Sequence, residues 1–487
     1  MSTTSSEAPA GAPTAVPSEQ ARHLLSRFTA GPTPALARTV AGSGHLRWFE
    51  EQLSPDRIAD PAGDQVDTWW PDLARTPLDL WQRNVEGVRS GYDVMRDYAA
   101  WQLTRRLVSQ RQVHETMTEF FENLLHVPAT SDGQFTWRAR YGQVVRKHAL
   151  GRYDHLLNAA IVHPAMLIYL NGATSTKTAP NENLGRELLE LHTVGAGNYS
   201  ESDVKDSARI LTGWRVDLYD TWQRLYVPEY HATGVVKVKG FRDPNRSADG
   251  RAVLRRYLTY LAHHPATARR IAERLVTKFV SDSPAPALVD ELAQVYLRAD
   301  TRIVPVLQAL VRSPQFRGSV GAKLRDPNED VLASFRAMQV SVEQPVDTNS
   351  ATAVMVSSTG SLGLVTSTWP RPDGAPLSNE AWSSPLRALA SVGLHWSLAN
   401  RSRPTAQVVH RDPLSWLPPL PASFREVVDH VSRTLLYRPA TSALVGTCVL
   451  ATGVTPDTEI TADHPFVVSG IPRLLAALLD TPEHYAR

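Results

Sequence analysis

A single cysteine, Cys448, stands in 487 residues. It can build neither an intramolecular disulfide nor a multi-cysteine zinc or iron–sulfur centre. Its neighbours Val445, Val449 and Leu450 predict a buried, inert thiol. Net charge is equally scarce. A formal +2 gives no global field to draw the chain toward nucleic acid or an anionic membrane. Lysine is rare too, at seven of the 51 basic residues, the rest being arginine. Arginine suits carboxylate and phosphate recognition, and it also follows from plain compositional bias in an Ala- and Arg-rich chain. No apolar run reaches the ~18 residues that a spanning helix needs. Residues 1–17 are small and polar, with no basic or apolar signal region, and predict a disordered leader. A P-loop, a dinucleotide glycine fingerprint, a Gly-x-Ser-x-Gly elbow and a second histidine after His114-Glu115 are all missing. A soluble cytoplasmic protein is expected, with neither nucleic acid nor membrane as partner and no cofactor indicated.

What the chain does contain is a hydrophobic fraction of 42% and a charged fraction of 21%, the balance of a core-forming protein. Helical periodicity dominates. Ser200 and Asp203 form a capping-box pattern ahead of Val204, Ala208 and Leu211, and Leu254, Leu258 and Leu261 repeat the three- and four-residue spacing. So do Leu288, Leu292 and Val295, then Ile303, Leu307 and Leu310. A helical region over 92–126 carries Trp101, Phe120 and Phe121 as core anchors. Between 214 and 241 the pattern alternates on either side of Gly234, which predicts a short hairpin. Two echoes occur, His163-Pro164 with His264-Pro265 and Ser313-Pro314 with Thr481-Pro482; shared capping chemistry accounts for them, and no solenoid is inferred. The expected fold is mainly α: a large multi-helical domain over 18–341 with a small β-hairpin insertion, a loop-rich segment over 342–379, and C-terminal helices over 380–487 packing on the main domain.

The densest chemistry lies in residues 181–195. Two Asn, three Glu, one Arg and one His share one predicted helix, with Asn181 as N-cap and Gly195 at its stop. At 100° per residue Glu182, Arg186 and Glu190 form an acid–base–acid ladder, Asn183 and Glu187 a neighbouring row, and Leu184, Leu188 and Leu191 the apolar face. A solvated ion-pair ladder accounts for this pattern, as does a buried Arg–Glu pair fixing the fold. A polar row facing a cleft accounts for it equally, with Glu187 and Glu190 as paired carboxylates for acid/base work or for binding a hard metal.

Histidines add little. His192 is not three or four residues from either glutamate, and His163 and His264 precede proline as N-caps or turn residues. His231 in the hairpin is the better candidate, although a surface histidine fits it as well. Arg138, Arg140, Arg146, Lys147 and Arg152 make a local positive run without interleaved stacking aromatics, and predict a solvated helix face more readily than a nucleic-acid interface.

These segments resemble, in order, the bacterial family known as domain of unknown function 1800. His23-Leu-Leu-Ser-Arg-Phe28 with Gly31-Pro-Thr-Pro34 is similar to its opening, and Ala149 to Gly151 through His163 to Leu170 to its middle. The 181–195 helix followed by Tyr199 to Trp214 is its signature. His231, Lys237 and Gly240 resemble its hairpin motif, and residues 264–280 the helix after it. The resemblance carries no established molecular function; it implies relatives that are often exported and often encoded beside a sulfatase-like partner family. Relatives often carry Phe-Trp-His-Asn-His-Phe, where this chain has Phe120-Phe121-Glu122-Asn123-Leu124-Leu125, and the hairpin His-Asp is His231-Ala232 here.

Two readings follow. In one, the protein is an enzyme or a binder of a small molecule or metal. Asn181, Asn183, Arg186 and Lys237 then bind substrate, Glu187, Glu190 and His231 act in catalysis, and no metal-ligand set is singled out. In the other it is a non-catalytic scaffold or partner subunit, bound to a protein from a neighbouring gene, with the polar helix structural.

Overall fold

The computed structural model describes residues 15–487. The leader expected over 1–17 lies outside them save for its last three residues. Proline and short polar side chains open the helices. Thr33, Thr76, Asp326 and Ser384 each cap a helix whose first residue is proline, and His163 and His264 do the same through a ring nitrogen. The expected capping box of Ser200 and Asp203 is formed. The fold is mainly α, 59% helical, with four two-stranded antiparallel sheets among the described residues.

Two large apolar cores hold the molecule. The first gathers helices from Glu19–Phe28 to Pro314–Gly318, with Phe28, Phe120, Phe121, Tyr153 and Phe279 at its centre. The second joins Gly91–Val108, Pro327–Ala337, Ala351–Ser361 and the C-terminal helices through Leu103, Leu332, Phe335, Met355 and Leu478. Cys448 belongs to it, and burial pushes its thiol up to about 12. Gln112–Leu124 packs into the first core while its neighbour Gly91–Val108 packs into the second. A seam therefore runs between these two helices.

The 214–241 region differs from the expected hairpin. Arg224–Tyr226 pairs backward with Trp214–Val216, and Val236–Val238 pairs forward with Phe241–Asp243. Lys239 and Gly240 both take positive φ, 49° and 89°, which is the two-residue turn that sets this second register. Gly234 instead bonds across to Asn245 in the connection between the hairpins. The segment expected to be loop-rich contains the helix Ala351–Ser361. Its Ala, Val, Thr and Met are buried around much of the circumference, so no one-sided stripe announces it. The basic run is solvated only in part: Lys147 is exposed, but Arg138 is fully buried, Arg146 pairs with Glu115, and Arg152 pairs with Asp154.

Candidate functional site

The signature segment begins as expected. Asn181 Oδ1 accepts from the N–H groups of Asn183 and Leu184, at 2.8 and 3.3 Å, while its amide donates to the Leu170 carbonyl. After Glu182–Glu187 the helix widens into a π turn, Leu188–His192. The wider turn carries the later side chains off the straight-helix faces. Leu189 and His192 are buried where Leu191 was expected, and Glu190 leaves the ladder to accept from the Tyr199 hydroxyl. Arg186 is paired bidentately with Glu201, both bonds 2.7 Å, rather than with Glu182 or Glu190. Asn183 is exposed. Glu187 is half-buried, and its carboxyl is pushed up first by burial and then by the neighbouring Glu190 charge.

The hairpin residues lie across another helix. Glu201–Leu211 packs on the signature helix at Gly185, where an added Cβ would stand 2.9 Å from the Ala208 nitrogen, and on strand Val236–Val238 by its opposite side. His231 is buried with both ring nitrogens engaged, Nδ1 3.1 Å from the Thr212 carbonyl and Nε2 2.9 Å from Asn245 Oδ1. Lys237 is exposed, and its backbone N–H donates to Asp206. Glu187 and Glu190 thus stand together, while His231 and Lys237 stand beyond the intervening helix.

A shallow, narrow cleft opens instead at the seam between the two cores, with a cavity volume of about 50 Å³. Gly91–Val108 contributes Trp101, Gln102, Arg105 and Arg106, and Gln112–Leu124 contributes Glu115, Thr118, Glu119, Glu122 and Asn123. His126, Asn328 and a strap carrying Ser367, Trp369 and Ala375 complete the wall. None of the seven sequence-derived candidates lines it. The signal was present in the chain. Glu115, Glu119, Glu122 and His126 recur at spacings of four, three and four, which is one helical face opposite Met117, Phe120 and Phe121.

Most charges in this wall are already paired. Glu122 accepts from the Tyr98 hydroxyl at 2.8 Å, Gln102 at 2.5 Å and Arg138 at 3.0 Å. Gly142 leaves room for that cluster, since a Cβ there would overlap the Tyr98 hydroxyl. Burial raises the Glu115 carboxyl, but Arg146 and then Arg105 more than reverse this and hold it below the usual range. Glu119 lies 3.3 Å from Lys278, whose closer partner is Glu329 at 2.8 Å. His126 is pushed down to about 4 by burial, and its Nε2–H donates to the Trp369 carbonyl at 2.7 Å. Asn123 grips the strap through the Ala375 carbonyl and N–H, at 2.9 and 2.6 Å.

Two groups stand apart. Among the described residues no side-chain hydrogen bond or ion pair engages Arg106, although it is only 9% exposed. Asn328 is 6% exposed, and its buried Oδ1 has no hydrogen-bond partner. A buried amide oxygen without a donor is costly, and Arg106 is a cation without a counter-ion; both side chains face the cleft.

A family profile described as Protein of unknown function (DUF1800) matches residues 23–486. The chain belongs to this family. No curated protein and no solved structure matches it. In this DUF1800 chain Glu122 and Asn123 both line the cleft. The segment 181–195 lies outside that wall. Asp373 of the strap is near enough to Glu187 to help raise its carboxyl. No helix among the described residues is long and apolar enough to cross a membrane.

Proposed function

We propose that the protein binds a small organic anion, carrying a carboxylate or phosphate, in the cleft between Gly91–Val108 and Gln112–Leu124. The observation that carries this reading is Arg106, which lines the cleft with its side chain largely covered and its guanidinium still open to it, with no counter-ion of its own. Arginine presents a planar fork of donors matched to carboxylate or phosphate oxygens. Asn328 offers an amide beside the same space, and Trp101 and Trp369 offer apolar walls for the rest of the ligand. Glu119 is the carboxylate that could exchange a proton with such a ligand, which makes an enzyme one form of this proposal. The test is a thermal-shift screen of organic acids and phosphate esters on the full chain and on Arg106→Met. Hits should raise the melting temperature by a few degrees in the parent and not in the variant. Hits equal in both proteins, or none in a broad anion panel, would reject the cleft as an anion site.

A second reading, a scaffold or partner subunit, is favoured by a different observation. Leu386, Leu389, Val392 and Trp396 form one exposed stripe along Pro385–Ala399, between 43% and 78% accessible. A contiguous apolar face of this kind suits a protein partner. The polar bonds of the signature helix, an N-cap at Asn181 and an ion pair at Arg186, are of the structural kind that this reading assigns to it.

A further inference from the structure

We propose that Asp330, His395 and His484 form a buried zinc site that pins the C-terminal helix Pro482–Tyr485 to Pro327–Ala337 and Pro385–Ala399. The three side chains are fully or almost fully buried, and their ligand atoms lie within 4.8 Å of one another. Asp330 Oδ1 is 3.3 Å from His395 Nε2 and 3.9 Å from His484 Nε2. The Ser334 hydroxyl stands 3.0 Å from His484 Nε2 and 3.5 Å from Asp330 Oδ1, at the fourth corner. A tetrahedral zinc with bonds of about 2.0–2.1 Å has ligand–ligand edges of roughly 3.3–3.4 Å, so these separations suit a shared cation. They suit a direct charged hydrogen bond less well, since such bonds run at about 2.7–2.9 Å.

The surrounding shell is arranged for ligation. His395 Nδ1 meets Asp480 at 2.6 Å, which turns that nitrogen into the donor and leaves the Nε2 lone pair facing Asp330 and His484. A carboxylate behind a histidine in this manner orients the ring and raises its basicity toward a metal. The second oxygen of Asp330 is held by the Ser391 hydroxyl at 2.6 Å and by Arg387 at 3.2 Å, so only Oδ1 is left to ligate. The two imidazoles stand nearly perpendicular, 5.3 Å between centroids. Two imidazoles with one carboxylate favour zinc over the hard cations. The competitor for the site is a proton. Burial disfavours a charged His395, but its bonds to Asp330 and Asp480 outweigh burial and hold the ring up to about 9.

The experiment is elemental analysis of the full chain purified without chelator or metal affinity resin, before and after exposure to zinc, with cobalt as a spectroscopic substitute. One metal per chain is expected, with a visible cobalt spectrum of tetrahedral intensity and a lower melting temperature after chelation. His484→Gln, which keeps a polar side chain but removes the imidazole ligand, should lose the metal. The parent measurements decide the matter even if that variant does not fold. A parent chain that takes up neither zinc nor cobalt, and melts at one temperature with and without chelator, overturns the site in favour of the proton.

Discussion

At the scale of single residues, the histidines carry the clearest consequence. His163 caps its helix by accepting from the Ala165 N–H through Nδ1, which requires an unprotonated ring. Burial first, and then the charges of Arg224, Arg138 and Arg140, push this ring down to about 3. His192 is likewise pushed to about 3, chiefly by burial. The folded value lies below the unfolded one of about 6.5, so the unfolded chain binds the proton first as pH falls. Stability is therefore complete above pH 6.5 and declines on the way to pH 4, by up to about 1.4 kcal/mol per pH unit for each such ring. His163→Asn supplies a capping acceptor that does not titrate. Its melting temperature should fall less between pH 7 and pH 5 than the parent's, by the equivalent of about 2 kcal/mol. Parallel pH profiles for the two proteins would show that the ring is not held neutral.

At the scale of elements, the strap over the cleft is tied at both ends. Ser367 accepts from the Ala129 N–H and donates to Gln102 and Glu122, while over 369–376 Asn123 gives two bonds and His126 one, and Gly374 passes so close to the Asn123 backbone that a Cβ would not fit, at a φ of 76°. Asn123→Ala removes both amide bonds, each with a net value of about 1 kcal/mol. Hydrogen exchange over 369–376 should rise in that variant while 112–124 stays protected. Unchanged exchange in the strap would mean that other contacts hold it. The same elements show what the sequence could reveal. Caps were legible because they are local: Asn181, Ser200 and His163 each satisfy a donor two or three residues away. The π turn was not legible, because 100° periodicity assumes the straight helix that residues 188–192 abandon. Hairpin register was lost for a related reason, as Lys239-Gly240 and Gly234 offer competing turns and only packing chooses between them. The cleft is not legible in the sequence because the helix bearing its Glu and His stripe announces itself by the aromatic face opposite, and because Asn328 and the strap reach it from far along the chain.

At the scale of the whole molecule, a few buried arginines tie distant parts of the chain together. Arg27 donates to the Ser319 carbonyl, Arg325 to that of His484, and Arg487 to that of Arg27, so the C-terminus is tied back to the first helix and to the middle of the chain. A molecule closed on itself in this way has little reason to leave a long apolar stripe in water. Yet Leu386, Leu389, Val392 and Trp396 fall within about 120° of one helix face, while Arg387, Ser391, Leu394, His395 and Leu398 occupy the buried one. Burying such a face against a partner would gain roughly 25 cal/mol per Å² of apolar surface, whereas a single charge at its centre would be desolvated without compensation. Leu389→Asp should therefore abolish assembly with a partner or second copy while leaving the melting temperature near the parent's, because the side chain is 70% exposed and touches little of the core. Size-exclusion chromatography with light scattering, and co-purification from the native host, read the outcome. An assembly that survives the charge would place the docking surface elsewhere on the molecule.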